Sequence, residues 1–186
     1  MKNKIHLGCG KRFLESYIRV DIDTFDHIDF VTTIDNLEMF EDDSANLIYC
    51  SHAIEYFDML EINNVLREWK RVLCPGGILR LAVPNFETLI EIYKNTKDLN
   101  SILGPLYGKW DINDSGSIYH KTVYDKKLLS QTLIRLGFEQ VEEWDWREVF
   151  KNHEGYDDHS QAYYPHMDKE KGIHVSLNIQ ATKPNN

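Results

Sequence analysis

The first residues along the chain whose types and spacing could do chemistry are two glycines and an acid. The run His6-Leu7-Gly8-Cys9-Gly10 lies near the N-terminus, and Asp21 ends the next apolar run. Glycine lets a ligand pass close to the backbone, where a Cβ would block it. A carboxylate can accept hydrogen bonds from both hydroxyl groups of a ribose. A strand that breaks into Gly-x-Gly, followed by a strand that ends in an acid, therefore predicts a site for a nucleoside-type cofactor.

The spacing differs from the usual dinucleotide fingerprint. Gly-x-Gly-x-x-Gly would need glycine at position 13, and this chain has Phe13 there. Only residues 11–16 separate the glycine turn from the next apolar run, whereas the acid of the dinucleotide pattern follows about 20 residues on. No full crossover helix fits in that gap. We expect a single turn or an irregular connection between the two strands.

Length, composition and charge limit the classes of protein to which the chain can belong. With 186 residues, 42% of them apolar, we expect one domain over residues 1–186 with a substantial core. The net charge is −9, and residues 21–43 contain nine acids but no Lys or Arg, which disfavours binding to nucleic acid. No apolar run approaches the roughly 18 residues of a membrane span. The sequence does not indicate an oligomeric state.

Cysteine and histidine usage predicts a reduced protein without a metal. The three cysteines form no CxxC pair, and the N-terminus carries no apolar secretory stretch, so we predict a cytoplasmic location. Cys9 and Cys50 are interpreted as small apolar side chains rather than reactive thiols. The histidines and acids within residues 153–166 match no familiar ligand spacing, and no metal site is predicted.

Hydrophobic patterns predict a strand-rich first half. Short apolar runs indicate strands over residues 4–7, 17–22, 30–33 and 46–50. Apolar side chains recur at helical spacing over residues 58–73, with Asp58 as a cap and Pro75-Gly76-Gly77 directly after the helix. A buried strand over residues 78–83 completes a β-α-β unit, which implies parallel pairing.

The second half of the chain is less regular. Helices are predicted over residues 84–93 and after Asp125, which can cap the second of them, and closing strands over residues 138–146 and 174–182. Residues of about 97–124 and 147–173 show no regular pattern and are too long to be simple connections. We expect both segments to be insertions on the substrate side of the site.

Four features in a fixed order resemble the class I S-adenosylmethionine-dependent methyltransferases. They are the glycine turn, Asp21, the tripeptide Asp35-Asn36-Leu37 ahead of the strand at 46–50, and the segment 71–77 that ends in Pro-Gly-Gly. The resemblance covers residues 4–95. It implies a Rossmann-like α/β fold with a mostly parallel sheet of about seven strands, an antiparallel last strand and S-adenosylmethionine as cofactor.

Two later segments are similar to a small bacterial subgroup of predicted methyltransferases. These segments are residues 119–125 and 160–166. Members of the subgroup often accompany cell-surface sugar genes. The resemblance therefore implies an enzyme that methylates a small molecule, with a sugar or cell-surface polysaccharide precursor as one such acceptor.

The resemblance also implies contacts with the methionine and ribose parts of the cofactor. Gly8, Cys9 and Gly10 would wrap the methionine part. Asp21 would hold the ribose, with Asp23 as the alternative acid.

Further contacts are implied for the adenine and the sulfonium. Ile22 would pack on the adenine, and Asp35 would accept a hydrogen bond from its amino group. The backbone of Asn36 and Leu37 would line the same pocket. Ser51 would lie near the sulfonium.

The chain departs from the family pattern at three places. The third glycine is replaced by Arg12, which could pair with the cofactor carboxylate. His6 stands where the family commonly has an acid, and the usual Glu-His pair is Glu55-Tyr56.

Histidine is the side chain that gains and loses a proton near neutral pH, so His120 and His52 are the candidates for a general base. We predict His120 as the catalytic residue and place His52 and Tyr56 in the substrate pocket. Three further side chains could close over the substrate from the other long segment as a lid. They are Tyr163, Tyr164 and His166.

Two other functions remain open at the level of sequence. One is a cofactor-binding regulatory or partner protein without methyl transfer, which the change to Arg12 favours. The other is a nucleotide-binding oxidoreductase or nucleotidyl enzyme, which the missing third glycine and the nearby acids oppose.

Overall fold

The computed structural model describes residues 3–112 and 116–185. In chain order its strands and helices are β1 (Asn3–Leu7), β2 (Ile18–Asp21), β3 (Phe30–Val31), β4 (Ala45–Ser51), α1 (Glu61–Val72), β5 (Leu73–Pro84), α2 (Phe86–Thr96), α3 (Asn100–Tyr107), β6 (Lys109–Asp111), β7 (Ser117–Tyr119), α4 (Lys126–Arg135), β8 (Glu139–Glu143), α5 (Trp146–Val149), β9 (Tyr163–Tyr164), β10 (Ile173–His174) and β11 (Ser176–Thr182). Two 3-10 helices cover Ile54–Tyr56 and His159–Gln161.

The centre of the fold is a seven-stranded sheet in the order β3-β2-β1-β4-β5-β11-β8. The first five strands pair in parallel, and β11 runs antiparallel to both of its neighbours, β5 and β8. The predicted mostly parallel sheet with an antiparallel last strand is therefore confirmed.

The strand order reverses direction next to β1, and this reversal positions the site. The chain builds outward from β1 to β2 and β3 and then returns to the other side of β1 with β4. In open α/β sheets such a switch point leaves a crevice beyond the carboxyl ends of the strands. Gly8, Asp21 and Ser51 lie at the carboxyl ends of β1, β2 and β4.

Helix α1 connects β4 to β5 because one of its faces is apolar. That face is buried and consists of Ile62, Val65, Leu66, Trp69 and Val72. Asp58 Oδ1 accepts hydrogen bonds from the N–H groups of Leu60 and Glu61 at 2.8 and 2.9 Å, so the predicted cap is present. The helix itself begins three residues later than predicted.

The two segments predicted to lack regular structure contain short elements. Residues 97–124 include α3 and a hairpin of β6 and β7, although residues 113–115 lie outside the described part of the chain. Residues 147–173 include most of α5, a 3-10 helix and strand β9, which pairs with β10. Strands of two or three residues are too short to show a period, and Pro105 inside α3 weakens its helical signal.

No helix within residues 3–112 and 116–185 is long and apolar enough to cross a membrane.

Candidate active site

A cavity of about 860 Å³ opens beyond the carboxyl ends of β1, β2 and β4. Its volume lies within the range of about 300–1,000 Å³ that is usual for small-molecule sites. The predicted site residues that line it are Gly8, Cys9, Gly10, Asp21, Ile22, Ser51, His52, Tyr56, His120, Tyr163, Tyr164 and His166. The fold thus brings both long segments and the glycine turn to one cavity.

The glycine turn after β1 depends on the absence of side chains at two positions. Gly8 has a φ of +62°, and a Cβ there would lie 2.7 Å from the Cβ of Ala53. Gly10 has a φ of +52°, and a Cβ there would lie 3.2 Å from the Trp110 ring. Residues with side chains rarely adopt such φ values. The turn therefore presents bare backbone to a ligand.

Asp21 ties the end of β2 to the glycine turn. Its Oδ2 accepts a hydrogen bond from the N–H of Gly10 at 2.7 Å, and its Oδ1 accepts one from the N–H of Asp23 at 2.9 Å. Burial raises the pKa of the Asp21 carboxyl, and these two donors oppose the rise. A carboxylate offers about four acceptor positions, so about two remain for the hydroxyl groups of a ligand.

Asp23, the alternative acid, has a different partner. Its Oδ2 accepts a hydrogen bond from Nε1 of Trp110 at 2.7 Å, and Asp23 lies outside the cavity lining. Trp110, on β6, does line the cavity. Sequence reasoning did not identify Trp110, because the two partners are 87 positions apart and nothing local links them.

The tripeptide Asp35-Asn36-Leu37 is not brought to this cavity. Asp35 and Asn36 are exposed, and Asp35 lines a separate cavity of about 180 Å³. Leu37 is fully buried in the main core. Thr33 and Ile34, which directly precede the tripeptide, line the main cavity in its place.

Two small side chains lie at the cavity wall with little solvent exposure. Burial, helped by the charge of Asp21, raises the pKa of the Cys9 thiol to about 12, so the sulfur is protonated at neutral pH. Ser51 Oγ is buried and has no hydrogen-bond partner among the described protein atoms. Such an unpartnered hydroxyl is suited to a polar group of a ligand.

His120 is held in place from two sides. Its Nδ1 lies 3.0 Å from the carbonyl oxygen of Pro105, and its ring packs edge-on against Tyr56 with ring centroids 4.8 Å apart. A Cβ on Gly108 would lie 2.1 Å from Nε2 of His120. Burial lowers the pKa of His120, and the Pro105 carbonyl opposes this. The imidazole is therefore neutral and fixed at neutral pH.

His52 follows β4 in a left-handed backbone conformation, with a φ of +52°. This conformation is uncommon for a residue with a side chain and is often found at functional sites. The N–H of His52 donates to the carbonyl of Ala82 at 2.8 Å, and its Nε2 lies 3.1 Å from Ser176 Oγ. Burial, followed by the neighbouring histidines, holds the pKa of His52 well below its ordinary 6.5.

Glu55 is the second residue that sequence reasoning missed. It is fully buried, and its Oε1 lies 3.7 Å from Nδ1 of His52 and 3.7 Å from Nε2 of His120. Burial raises the pKa of its carboxyl from 4.5 to about 8. The sequence shows Glu55 only as half of an altered Glu-His pair, and its histidine neighbours come from different loops.

The lid candidates differ in how firmly they are held. Tyr163 is buried, and its hydroxyl accepts a hydrogen bond from Nη2 of Arg147 at 2.6 Å. Tyr164 is half-buried and His166 is exposed. All three line the cavity, but a closing movement stays a prediction.

Among the described residues, no group of three or more His, Cys, Asp or Glu side chains is placed to hold a metal ion.

One protein-family model matches part of the chain. Residues 6–81, which include the glycine turn and the residues through most of β5, match the family model "Methyltransferase domain". This match supports a class I S-adenosylmethionine-dependent methyltransferase family for the chain. A search of curated proteins gave no match.

Solved structures of methyltransferases share the fold of this methyltransferase. An S-adenosylmethionine-dependent enzyme from Thermotoga maritima, described as a possible histamine N-methyltransferase, aligns with a TM-score of 0.58 and 16% identity over 98% of this chain and 83% of that one. A methyltransferase from Archaeoglobus fulgidus aligns with a TM-score of 0.57 and 17% identity over 98% and 86% of the two chains.

A third structure of the same fold is the 1,6-didemethyltoxoflavin-N1-methyltransferase of Burkholderia thailandensis, which holds 1,6-didemethyltoxoflavin and S-adenosylhomocysteine. It aligns with a TM-score of 0.55 and 12% identity over 98% of this chain and 72% of that one. The cofactor of this methyltransferase is S-adenosylmethionine. The residues present fit that group, because a Cβ at Gly8 or Gly10 would fill the cradle and Ser51 Oγ lacks a partner.

Proposed function

We propose that this enzyme methylates a polar small molecule, with a sugar or cell-surface polysaccharide precursor as the acceptor class. One observation carries the proposal: a single cavity joins the glycine turn to a wall of histidine and tyrosine side chains. These side chains offer both hydrogen-bond donors and acceptors, which suits an acceptor rich in hydroxyl groups.

The proposed cofactor contacts follow the cavity wall. Gly8, Cys9 and Gly10 face the methionine part, and Asp21 accepts hydrogen bonds from the ribose hydroxyls. Arg12 is exposed and lines the cavity beside the turn, where its guanidinium can pair with the methionine carboxylate.

The adenine end is assigned to the residues that line the main cavity. Ile22 packs on one face of the base, and Thr33 and Ile34 border it. Asp35, Asn36 and Leu37 are proposed to act here only if their loop rearranges, since they lie outside this cavity.

The chemistry asks little of the protein beyond alignment. When bound, the cofactor supplies a methyl group on a sulfonium, which is an excellent leaving group. The chain's own residues align the acceptor, exclude water and take up a proton where the attacking atom must lose one. His52, Tyr56, Tyr163, Tyr164 and His166 are proposed to hold the acceptor, and His120 to take its proton.

A methyl-transfer assay tests this function. The purified protein is incubated with S-adenosylmethionine carrying a deuterated methyl group and a panel of monosaccharides, nucleotide sugars and small amines, and products are read by mass spectrometry. A labelled sugar product supports the proposed acceptor class, whereas a labelled amine would contradict it and make an amine the acceptor. Cofactor binding without transfer to any acceptor would favour the regulatory role.

The variant His120→Ala tests the proposed base. We expect its turnover number to fall by about a hundredfold or more, because a positioned base contributes about that much. Cofactor affinity, measured by calorimetry, should not change. An unchanged turnover number would make His120 a structural residue.

A further inference from the structure

Glu55 presents an unusual feature next to the cavity, because no other described residue forms a hydrogen bond with its carboxyl group. The side chain is fully buried, and both Oε1 and Oε2 lack a partner among the described protein atoms. Burying a carboxylate in this way is costly unless it is neutral or paired. Within residues 3–112 and 116–185, two histidine rings are the only groups in ion-pair range of this carboxyl.

The hydrogen bond of His120 fixes which of its nitrogens carries the proton. A carbonyl oxygen only accepts, so Nδ1 must donate to the carbonyl of Pro105 at 3.0 Å. In the neutral ring Nε2 is then unprotonated. It is this bare nitrogen that lies 3.7 Å from Oε1 of Glu55.

Hydrogen bonds also determine which ring nitrogen of His52 carries the proton. Ser176 Oγ donates its one proton to Asn178 Oδ1 at 2.8 Å, and it therefore accepts from Nε2 of His52 at 3.1 Å. Nδ1 of His52 is then unprotonated in the neutral ring, and it lies 3.7 Å from the same oxygen of Glu55. Asn178 is oriented by its own amide, which donates to the carbonyl of Ser160 at 3.0 Å.

Two unprotonated ring nitrogens consequently lie 3.7 Å from one carboxyl oxygen. If Glu55 were ionised and both rings neutral, three acceptors would meet with no proton between them. The arrangement becomes favourable when it holds one proton, either on Glu55 or on one ring beside the carboxylate. The other titratable groups whose charge interacts with Glu55 are Cys50, Tyr56 and Tyr124, and burial raises the pKa of each, so each stays protonated and uncharged at neutral pH and none adds a positive charge.

We propose that Glu55 is a positioning residue for methyl transfer, which holds one proton in common with His52 and His120 and stabilises the imidazolium that His120 forms. The second part rests on the proposed function of His120 as the base. Glu55 acts through the two rings, because it lies behind the cavity wall and does not line it.

The step balances as follows. A lone pair on the acceptor atom forms the new bond to the methyl carbon, and the carbon–sulfur bond breaks with its electron pair on sulfur. The proton of the acceptor atom goes to Nε2 of His120, for which the missing side chain of Gly108 leaves room. The positive charge lost at sulfur reappears on the cluster, which now holds two protons: one on Nε2 of His120, and the earlier one on Nδ1 of His52, so that Glu55 is a carboxylate between two charged rings.

Histidine NMR on the full chain without cofactor tests the shared proton. The 15N and 13C resonances of His52 and His120 are followed from pH 5 to about 10 in wild type, Glu55→Gln and Glu55→Asp. Wild type should show a common inflection on both rings at about pH 8. Glu55→Gln should lose it on both rings, and Glu55→Asp should keep a common inflection. His153, outside the cavity lining, serves as the internal control whose resonances should match in all three proteins.

The outcomes separate this inference from the proposed function. Independent titration of His52 and His120 in wild type, or a common inflection that survives in Glu55→Gln, would overturn the shared proton whether or not methyl is transferred. If the wild-type protein shows the common inflection but methylates no acceptor, the result supports the shared proton and contradicts the role of His120 as base. With an acceptor in hand, Glu55→Gln should lower the turnover number by about a hundredfold without changing cofactor affinity.

Discussion

At the scale of single residues, the cofactor end of the cavity rests on one carboxylate and two bare backbone positions. Asp21 uses two of its acceptor positions to hold the glycine turn, and its neighbour Asp23 is engaged by Trp110. The two acids therefore have different expected effects, although they lie two positions apart.

Replacing each acid by alanine distinguishes them. A lost hydrogen bond to a charged acceptor is worth about 1.5–3 kcal/mol, so Asp21→Ala should weaken S-adenosylmethionine binding by about ten- to a hundredfold. Asp23→Ala removes the acceptor of the Trp110 indole and should weaken binding less. Calorimetry on both variants, with thermal melts as a check on folding, measures the difference. A larger loss in Asp23→Ala would reverse the assignment of the two acids.

The sequence points to residues that line the cavity where those residues lie close together in the chain. The glycine turn and the strand-end acid are close in sequence, and their roles follow from missing side chains and a carboxylate. Glu55 could not be found in this way, because its character comes from burial and from the ring of His120, which approaches from a distant loop and joins the neighbouring His52. The tripeptide at 35–37 shows the converse, since its order along the chain fits the family while its side chains lie outside the main cavity.

At the scale of elements, the connection from α3 to β6 shapes the acceptor side of the cavity. His120 directly follows β7, and Gly108 directly follows α3. The imidazole ring of His120 occupies the space that a side chain at Gly108 would fill. The sequence indicated that this segment was too long for a simple connection. The sequence could not indicate the hairpin of β6 and β7, because each strand has only three residues. Strands that short show no alternation of apolar and polar residues, and tertiary contacts determine their pairing.

Gly108→Ala tests this packing. The new methyl group would overlap the His120 ring and push it away from the Pro105 carbonyl, so we expect a lower turnover number with unchanged cofactor affinity. Gly104→Ala, within the preceding helix α3, is the control, because a Cβ there meets nothing within 4 Å. Equal activity of the two variants would show that the ring position does not matter for turnover.

At the scale of the whole molecule, the seven-stranded sheet was predictable from the sequence, and the buried carboxyl group of Glu55 was not. Periodicity predicted the strand segments and the β-α-β unit predicted one parallel pair, because these signals extend over many residues, whereas the mostly parallel order with an antiparallel last strand was implied by the family resemblance. Burial raises the pKa of Glu55, so the free energy of unfolding of the whole protein depends on pH.

The pH dependence of unfolding provides a global test. The pKa of Glu55 rises from 4.5 to about 8 on folding, so its contribution to stability is fully present below pH 4.5 and is lost as the pH rises through 8. Glu55→Gln cannot ionise, and its stability relative to wild type should rise between these limits. Melting temperatures of both proteins from pH 5 to 9 measure this. A difference that does not change with pH would mean that Glu55 is not buried as described.

The central claim is that S-adenosylmethionine binds at the glycine turn, and calorimetric titration of the cofactor tests it most directly. The titration compares wild type with Gly10→Leu, and with Gly155→Ala as a control at a glycine of similarly positive φ that lies outside the cavity lining. Wild type and Gly155→Ala should bind the cofactor, and folded Gly10→Leu should not, because its side chain would occupy the cradle beside Trp110. Undiminished affinity in a folded Gly10→Leu protein would contradict the placement of the cofactor.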